Sequence, residues 1–289
     1  MSIRFAYKLH ILGCMGADTL NRVKSPPVIK AVSACVEFNN ELVLDDVTFS
    51  IEQGVLIGVV GPNGGGKTTL FNAIAGLQRL ANGAIFIKGN APERARGDVG
   101  YVPQRERVNW RFPLSALDVV SLGRTRSVSL FGRSTPEDEK VVEESLRKVD
   151  MWDLKGSLVD QLSGGQRQRV FVARSLAQGS DILLLDEAFS GVDVASQEGL
   201  VDVLKELRDD GNTILMATHD LNTLADRFDE VLCLNRHVCA YGNPRNAFTP
   251  SVLEELYGPH GTMLADHWVG HHGHEGHDPD HVREDSLAH

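Results

Sequence analysis

Nine consecutive residues carry the strongest chemical signal in this chain of 289 residues. "GPNGGGKTT" (61–69) matches G-x-x-x-x-G-K-[ST], follows the apolar run "VLIGVV" (55–60) and opens the helix-like "TTLFNAIAGL". That strand–loop–helix setting is what the pattern needs to act as a phosphate cradle. Gly61, Gly64, Gly65 and Gly66, with Pro62 and Asn63 between them, let backbone N–H groups converge on phosphate oxygens that a Cβ would obstruct. The helix that starts beyond them adds partial positive charge. Lys67 is expected to reach the β- and γ-phosphates, Thr68 to ligate Mg²⁺, and Thr69 to complete the cradle.

A second signal is "DILLLDEAF" (181–189), a strand ending in two acids. A carboxylate at the C-terminal end of a parallel strand stands at the ligand edge of its sheet. Asp186 is therefore expected to hold the Mg²⁺ shell, and Glu187 to orient or deprotonate an attacking water. Alone, the pair would read as solvent-facing acids; beside a phosphate loop it reads as catalytic. A third signal, "LSGGQRQRVFVARSLA" (162–177), places Ser163 as a helix N-cap, with Gly164, Gly165 and Gln166 in the first turn and apolar positions at 170, 171, 173, 176 and 177. This is another phosphate-binding surface, and one nucleotide has no obvious need of two from one chain.

The elements that must position these residues follow from the pattern. Short β-branched runs alternate with longer helical stretches ("LVDVLKELRDD", "NTILMATH"), which predicts parallel βαβ units and an α/β fold. The run "ILLL" suits a strand buried on both faces. Between Val108 and Gln161 strand signals thin out, and "PEDEKVVEESLRKVDMWDL" (136–154) reads as one amphipathic helix of an inserted helical subdomain, about 105–165. Residues 1–29 lack periodicity and read as a poorly ordered leader, with Met15 itself a candidate start. "ILGC" (11–14) has the look of a lipoprotein cleavage box, but Lys8 and His10 break the apolar stretch such a signal requires. The ordered domain is expected over 30–258 and a disordered His-rich, acidic tail over 259–289.

"LSGGQ" resembles the signature of ATP-binding cassette (ABC) proteins. The resemblance implies a P-loop NTPase with a RecA-like parallel core, an N-terminal antiparallel β region and the helical insertion. It also implies ATP as ligand and a head-to-tail homodimer, the signature of one cassette closing over the ATP on the other. Further marks match in order. Gln104 in "YVPQR" resembles the Q-loop glutamine, which senses Mg²⁺ and the membrane partner. His219 in "MATHD" resembles the switch histidine that contacts the γ-phosphate, and Asp193 in "SGVD" (190–193) the D-loop acid. Phe38 stands where the family places an adenine-stacking aromatic, often Tyr; Phe keeps the π-face and loses the hydroxyl, and a plain core Phe is the other reading.

The bulk numbers narrow the class. A net charge of −10 argues against nucleic acid as a partner. Cysteines at 14, 35, 233 and 239 form no CxxC pair, so reduced thiols are expected. No apolar run reaches the roughly 18–20 residues of a membrane span. The insertion is too short for the coiled coils of repair and chromosome ABC proteins, and translation-type members carry two cassettes. What the resemblance leaves is a peripheral subunit at the cytoplasmic face of the inner membrane, serving a separate multispanning permease and, indirectly, an extracytoplasmic metal-binding protein. "VNWRFPLSALDVVSLGR" (108–124) is similar to cassettes of zinc, manganese and iron importers, zinc being the first expectation. Trp110, Phe112, Pro113 and Leu114 there read either as permease anchors or as subdomain core. A cassette for another solute such as haem or a siderophore, or a regulatory ABC ATPase without permease, is the alternative.

The tail holds His267, His271, His272, His274, His277 and His281 among acids. Imidazoles suit Zn²⁺ and its neighbours, and the tail is expected to bind transition metal loosely, because Gly270, Gly273, Gly276 and Pro279 deny it a helix. A solvated tail of biased composition is the plain alternative.

Overall fold

The computed structural model describes residues 26–103, 113–125, 134–187, 189, 192–221 and 223–258. Gln104, Trp110, Phe112, the N-terminal leader up to residue 25 and the tail histidines lie outside the described residues. In chain order the first elements are β1 (Ile29–Phe38), β2 (Glu41–Ile51), β3 (Leu56–Val60), α1 (Lys67–Ile74), β4 (Asn82–Ile87) and β5 (Val99–Val102). Then come α2 (Ala116–Ser121), α3 (Pro136–Lys148), α4 (Gly164–Ala177), β6 (Ile182–Leu185), α5 (Val194–Asp209) and β7 (Thr213–Ala217). The chain continues through α6 (Leu224–Arg227), β8 (Glu230–Asn235), β9 (His237–Gly242), α7 (Pro244–Ala247) and α8 (Pro250–Tyr257).

The strands form two sheets. One is antiparallel, in the order β2-β1-β4. The other runs β5-β6-β7-β3-β8-β9, parallel except where the edge strand β9 returns against β8. The core strands are apolar throughout because both faces are covered. Leu183 and Leu185 of β6 enter a cluster with the helices α2 to α5, whereas Ile182 and Leu184 enter a second cluster with α1 and the antiparallel sheet. Ile214 and Met216 against Leu215 and Ala217 divide β7 in the same way. The antiparallel sheet begins at Ile29, which is fully buried in β1, and the Val28 N–H donates to the Ile51 carbonyl at 2.8 Å.

The helical layer differs from expectation at one end. The helix expected over 136–154 stops at Lys148. Asp150 takes a left-handed φ of 56°, its N–H donates to the Arg147 carbonyl at 3.1 Å, and the Met151 N–H reaches back to the Leu146 carbonyl at 2.9 Å. This pair of bonds is a Schellman stop, built with Asp where Gly is commoner, so periodicity alone gave no warning of it. A single 3₁₀ turn, Trp152–Leu154, follows. Both insertion helices begin in capping boxes, Ser115 with Asp118 and Thr135 with Asp138, and Pro136 opens α3. Leu146 of α3 and Val119 of α2 meet Val170 and Ala173 of α4 in one buried cluster.

Because Leu146 is fully buried in that cluster, Leu146→Ala should lower the unfolding free energy by about 2–5 kcal/mol. Chemical denaturation monitored by circular dichroism measures it, and a loss well under 1 kcal/mol would contradict this account of how the helices are held.

Candidate functional site

The phosphate loop is shaped by its neighbours as much as by its own glycines. A Cβ on Gly61 would lie 1.9 Å from the Leu234 carbonyl oxygen, a clash that no side-chain rotation relieves. Gly66 has φ 95°, and a Cβ there would meet Leu44 Cδ2 at 2.6 Å. The turn after β8 holds the loop from below: the Arg236 N–H donates to the Gly65 carbonyl at 2.9 Å, and the Arg236 carbonyl accepts from Asp45 N–H at 2.8 Å. Both sheets therefore grip the loop. The Lys67 ammonium is buried and donates to the carbonyls of Gly61 (2.8 Å) and Pro62 (3.0 Å). Burial holds its pKa below the ordinary lysine value, partly offset by the carboxylates of Glu187 and Asp186.

The acids stand at the carboxyl edge of β6, as the sequence predicts. Asp186 is 1% exposed. Burial pushes its carboxyl above the usual range; the Glu187 carboxylate adds to this, and hydrogen bonds from Thr68 and Tyr101 oppose it. Tyr101 OH donates to Asp186 Oδ2 at 3.4 Å, while the buried Oδ1 has no hydrogen-bond partner. An unsatisfied carboxylate oxygen beside a threonine hydroxyl is the donor chemistry a hard cation takes. Thr68 and Asp186 thus fit Mg²⁺. Glu187 has a left-handed φ of 50°, a strained backbone for a residue with a Cβ, of the kind that clusters at active sites. It lines, with His219, a cleft of about 570 Å³ to which Asn63, Gly64, Gly66, Lys67, Thr68 and Thr69 also contribute.

The signature residues lie elsewhere. Ser163 caps α4 as predicted: its hydroxyl accepts from Gln166 N–H at 3.2 Å, and Gln166 Oε1 accepts from Ser163 N–H at 2.9 Å. Asp193 caps α5, accepting from Ser196 N–H at 2.9 Å, and hydrogen bonds from the Ser196 hydroxyl and from its N–H hold the carboxyl below the usual range. Ser163, Gly165, Gln166 and Ser196 line a cleft of about 370 Å³ that shares no residue with the first. Gly164 opens α4 beside them. One chain therefore carries two separate clefts, one at the 61–69 loop and one at the start of α4.

Phe38 is 46% exposed at the end of β1, so the core reading of that residue is overturned. Leu114 instead packs against the main core, while Pro113 is exposed. Residues that sequence reasoning passed over also take part. Val43 of β2 lines the nucleotide cleft. Tyr101 binds Asp186, and Leu234 with Arg236 seats the loop. Tyr101 opens the stretch "YVPQR", but only the parallel pairing of β5 with β6, with Tyr101 opposite Leu184, brings its hydroxyl within reach of Asp186.

A parallel core with a phosphate loop after β3, two acids at the carboxyl end of β6 and a serine-capped helix that opens on two glycines defines a P-loop nucleoside-triphosphatase cassette. Residues 44–190 match the ABC transporter family, and the chain belongs to that family. It is an ATP-binding and ATP-hydrolysing cassette whose hydrolysis is coupled to transport. It is 43% identical over 231 residues to the manganese transport system ATP-binding protein MntB of Bacillus subtilis, covering 80% of this chain and 92% of that protein. It is 41% identical over 221 residues to the zinc transport system ATP-binding protein TroB of Treponema pallidum, covering 76% of this chain and 83% of that one. Among solved structures, a dimeric bacterial ABC transporter cassette superposes with a TM-score of 0.64 at 28% identity, covering 75% of this chain and 99% of the other.

With Lys67 seated on two loop carbonyls at the mouth of the cleft, Lys67→Ala should weaken ATP binding by about tenfold or more. The apo protein should keep its denaturation midpoint, because the deleted ammonium is a desolvated charge. Fluorescent-nucleotide titration and thermal denaturation read the two; unchanged affinity would contradict the assignment.

Proposed function

We propose that this chain is the ATP-hydrolysing subunit of an importer for divalent metal ions, with zinc and manganese foremost and iron next. The observation that carries this reading is the similarity, across about four-fifths of the chain, to relatives named for manganese and for zinc transport. Zinc led on sequence grounds; the names of the relatives put manganese beside it. The cassette docks at the cytoplasmic face of the inner membrane on a separate permease, consistent with the lack, among described residues, of any helix long and apolar enough to span a bilayer.

In this reading two copies pair head to tail, so that Ser163, Gly164, Gly165 and Gln166 of one chain cover the phosphates bound at 61–69 of the other. The two unshared clefts support that arrangement. Phe38, exposed, offers a face to adenine. Thr68 and Asp186, with Gln104 beyond the described residues, hold Mg²⁺, which neutralises charge on the phosphates. Lys67 binds the β- and γ-phosphates, and His219 contacts the γ-phosphate. Glu187 orients the attacking water and takes its proton. Asp193, at the cap of α5, links the two copies. The tail histidines serve as a loose binder of metal on the delivery side.

Glu187→Gln should bind ATP and stay dimeric, since it keeps the geometry and loses the base; size-exclusion chromatography with ATP reads this, and brisk turnover by the variant would refute the base assignment. Cells lacking the chain should lose uptake of labelled zinc or manganese, regained with the wild-type gene and not with Glu187→Gln. Intact uptake of every divalent ion tested would overturn the cargo class. In the same cells and in purified complexes, a chain ending at Gly258 tests the tail: metal-dependent ATPase rates equal to those of the full chain would remove its role.

A further inference from the structure

On the edge of the parallel sheet, among residues that line neither cleft, three metal-type donors converge that the ATP chemistry does not use. His237 and Cys239 are two residues apart on β9 and so share one face of the strand. Glu255 comes from α8, which packs on that face: Leu256 and Tyr257 lie in the same cluster as Cys233 and Cys239. His237 Nε2 is 2.6 Å from Glu255 Oε1 and 3.9 Å from Cys239 Sγ, and the three donor atoms all lie within 4.8 Å of one another. A further bond ties the end of β8 to the same helix, Asn235 Nδ2 donating to the Glu255 carbonyl at 3.0 Å.

We propose that His237, Cys239 and Glu255 form a binding site for a zinc-class divalent ion, clamping the edge strand β9 to helix α8. Donor atoms around a tetrahedral ion with Zn–S of about 2.3 Å and Zn–N of about 2.0 Å stand roughly 3.3–3.7 Å apart, so small side-chain rotations bring these three into place. The charge balances. The thiol gives up one proton, Glu255 is already a carboxylate, and the imidazole binds through Nε2 with its ring proton on Nδ1. One dication then faces two anionic donors and one neutral one. Without an ion the thiol is pushed up to about 11 by burial and by the nearby Glu255 carboxylate, and a bound cation reverses that effect. His237 and Glu255 are 48% and 44% exposed, which leaves a path for entry and room for water as a further ligand. A thiolate with an imidazole selects Zn²⁺ or Co²⁺ over Mg²⁺, Ca²⁺ and Mn²⁺. The site does not depend on which ion the transporter carries.

Cobalt distinguishes this site from the histidine-rich tail, because residues 259–289 contain no cysteine. Titrating the full, reduced chain with Co²⁺ should produce a near-ultraviolet thiolate-to-cobalt charge-transfer band that saturates at one ion per chain and is bleached by Zn²⁺. Cys239→Ser should abolish the band, while Cys35→Ser keeps it. His237→Ala and the exposed Glu255→Ala should each weaken cobalt binding about tenfold or more while the fold, read by circular dichroism, is kept. Absence of the band at saturating Co²⁺, its survival in Cys239→Ser, or unchanged affinity in both His237→Ala and Glu255→Ala would overturn the proposal.

Discussion

A buried ammonium and a buried carboxylate at one sheet edge govern the rest of this structure. Removing Lys67 and Asp186 from water costs several kcal/mol per ion, and what each meets in the protein is incomplete. Lys67 has two carbonyls, and Asp186 keeps one oxygen unsatisfied. In the function proposed above, a polyphosphate with its cation would offset both costs, because it would supply the anion one group lacks and the cation the other lacks. Binding would then draw on an imbalance stored in the folded state, to which the strained φ of 50° at Glu187 adds.

Holding such groups requires a scaffold that cannot relax around them. Leu234 and Arg236 press the loop from the parallel sheet, and Leu44 presses from the antiparallel one. The Arg236–Glu41 ion pair at 3.1 Å spans the same seam, although at that exposure it contributes little energy by itself. Steric closeness fixes the loop here: a single Cβ at Gly61 would collide with backbone, which explains why the position takes glycine better than any appeal to flexibility.

The parts of this site that were legible in the sequence are those whose residue types follow a short spacing. The 61–69 loop, the strand-end pair Asp186 and Glu187, and the Ser163 cap each show within a few residues, although the groups that seat the loop, Leu44, Leu234 and Arg236, lie far from it in sequence. The α/β alternation was legible for the same reason. The end of α3 was not, because Asp150 adopts a left-handed turn that most sequences assign to glycine. Tyr101 and Arg236 act on residues 85 and about 170 positions away, through sheet pairing alone. His237 and Cys239 carry no spacing signal for a metal site, because Glu255 reaches them only when α8 folds back on β9.

That fold-back places two sites on one short turn. Arg236 seats Gly65 of the phosphate loop, and the next residue, His237, belongs to the metal donors. Asn235, just before, bonds the helix that carries Glu255. An ion bound there acts on the segment that supports the loop. Proximity alone does not couple the two ligands: an ion shifts nucleotide affinity only by as much as it distinguishes the filled loop from the empty one. Any such preference is reciprocal, so nucleotide would tighten the ion by the same factor. The turn is short and bonded at Asn235, Arg236 and His237, which leaves little slack to absorb a shift at one site before it reaches the other.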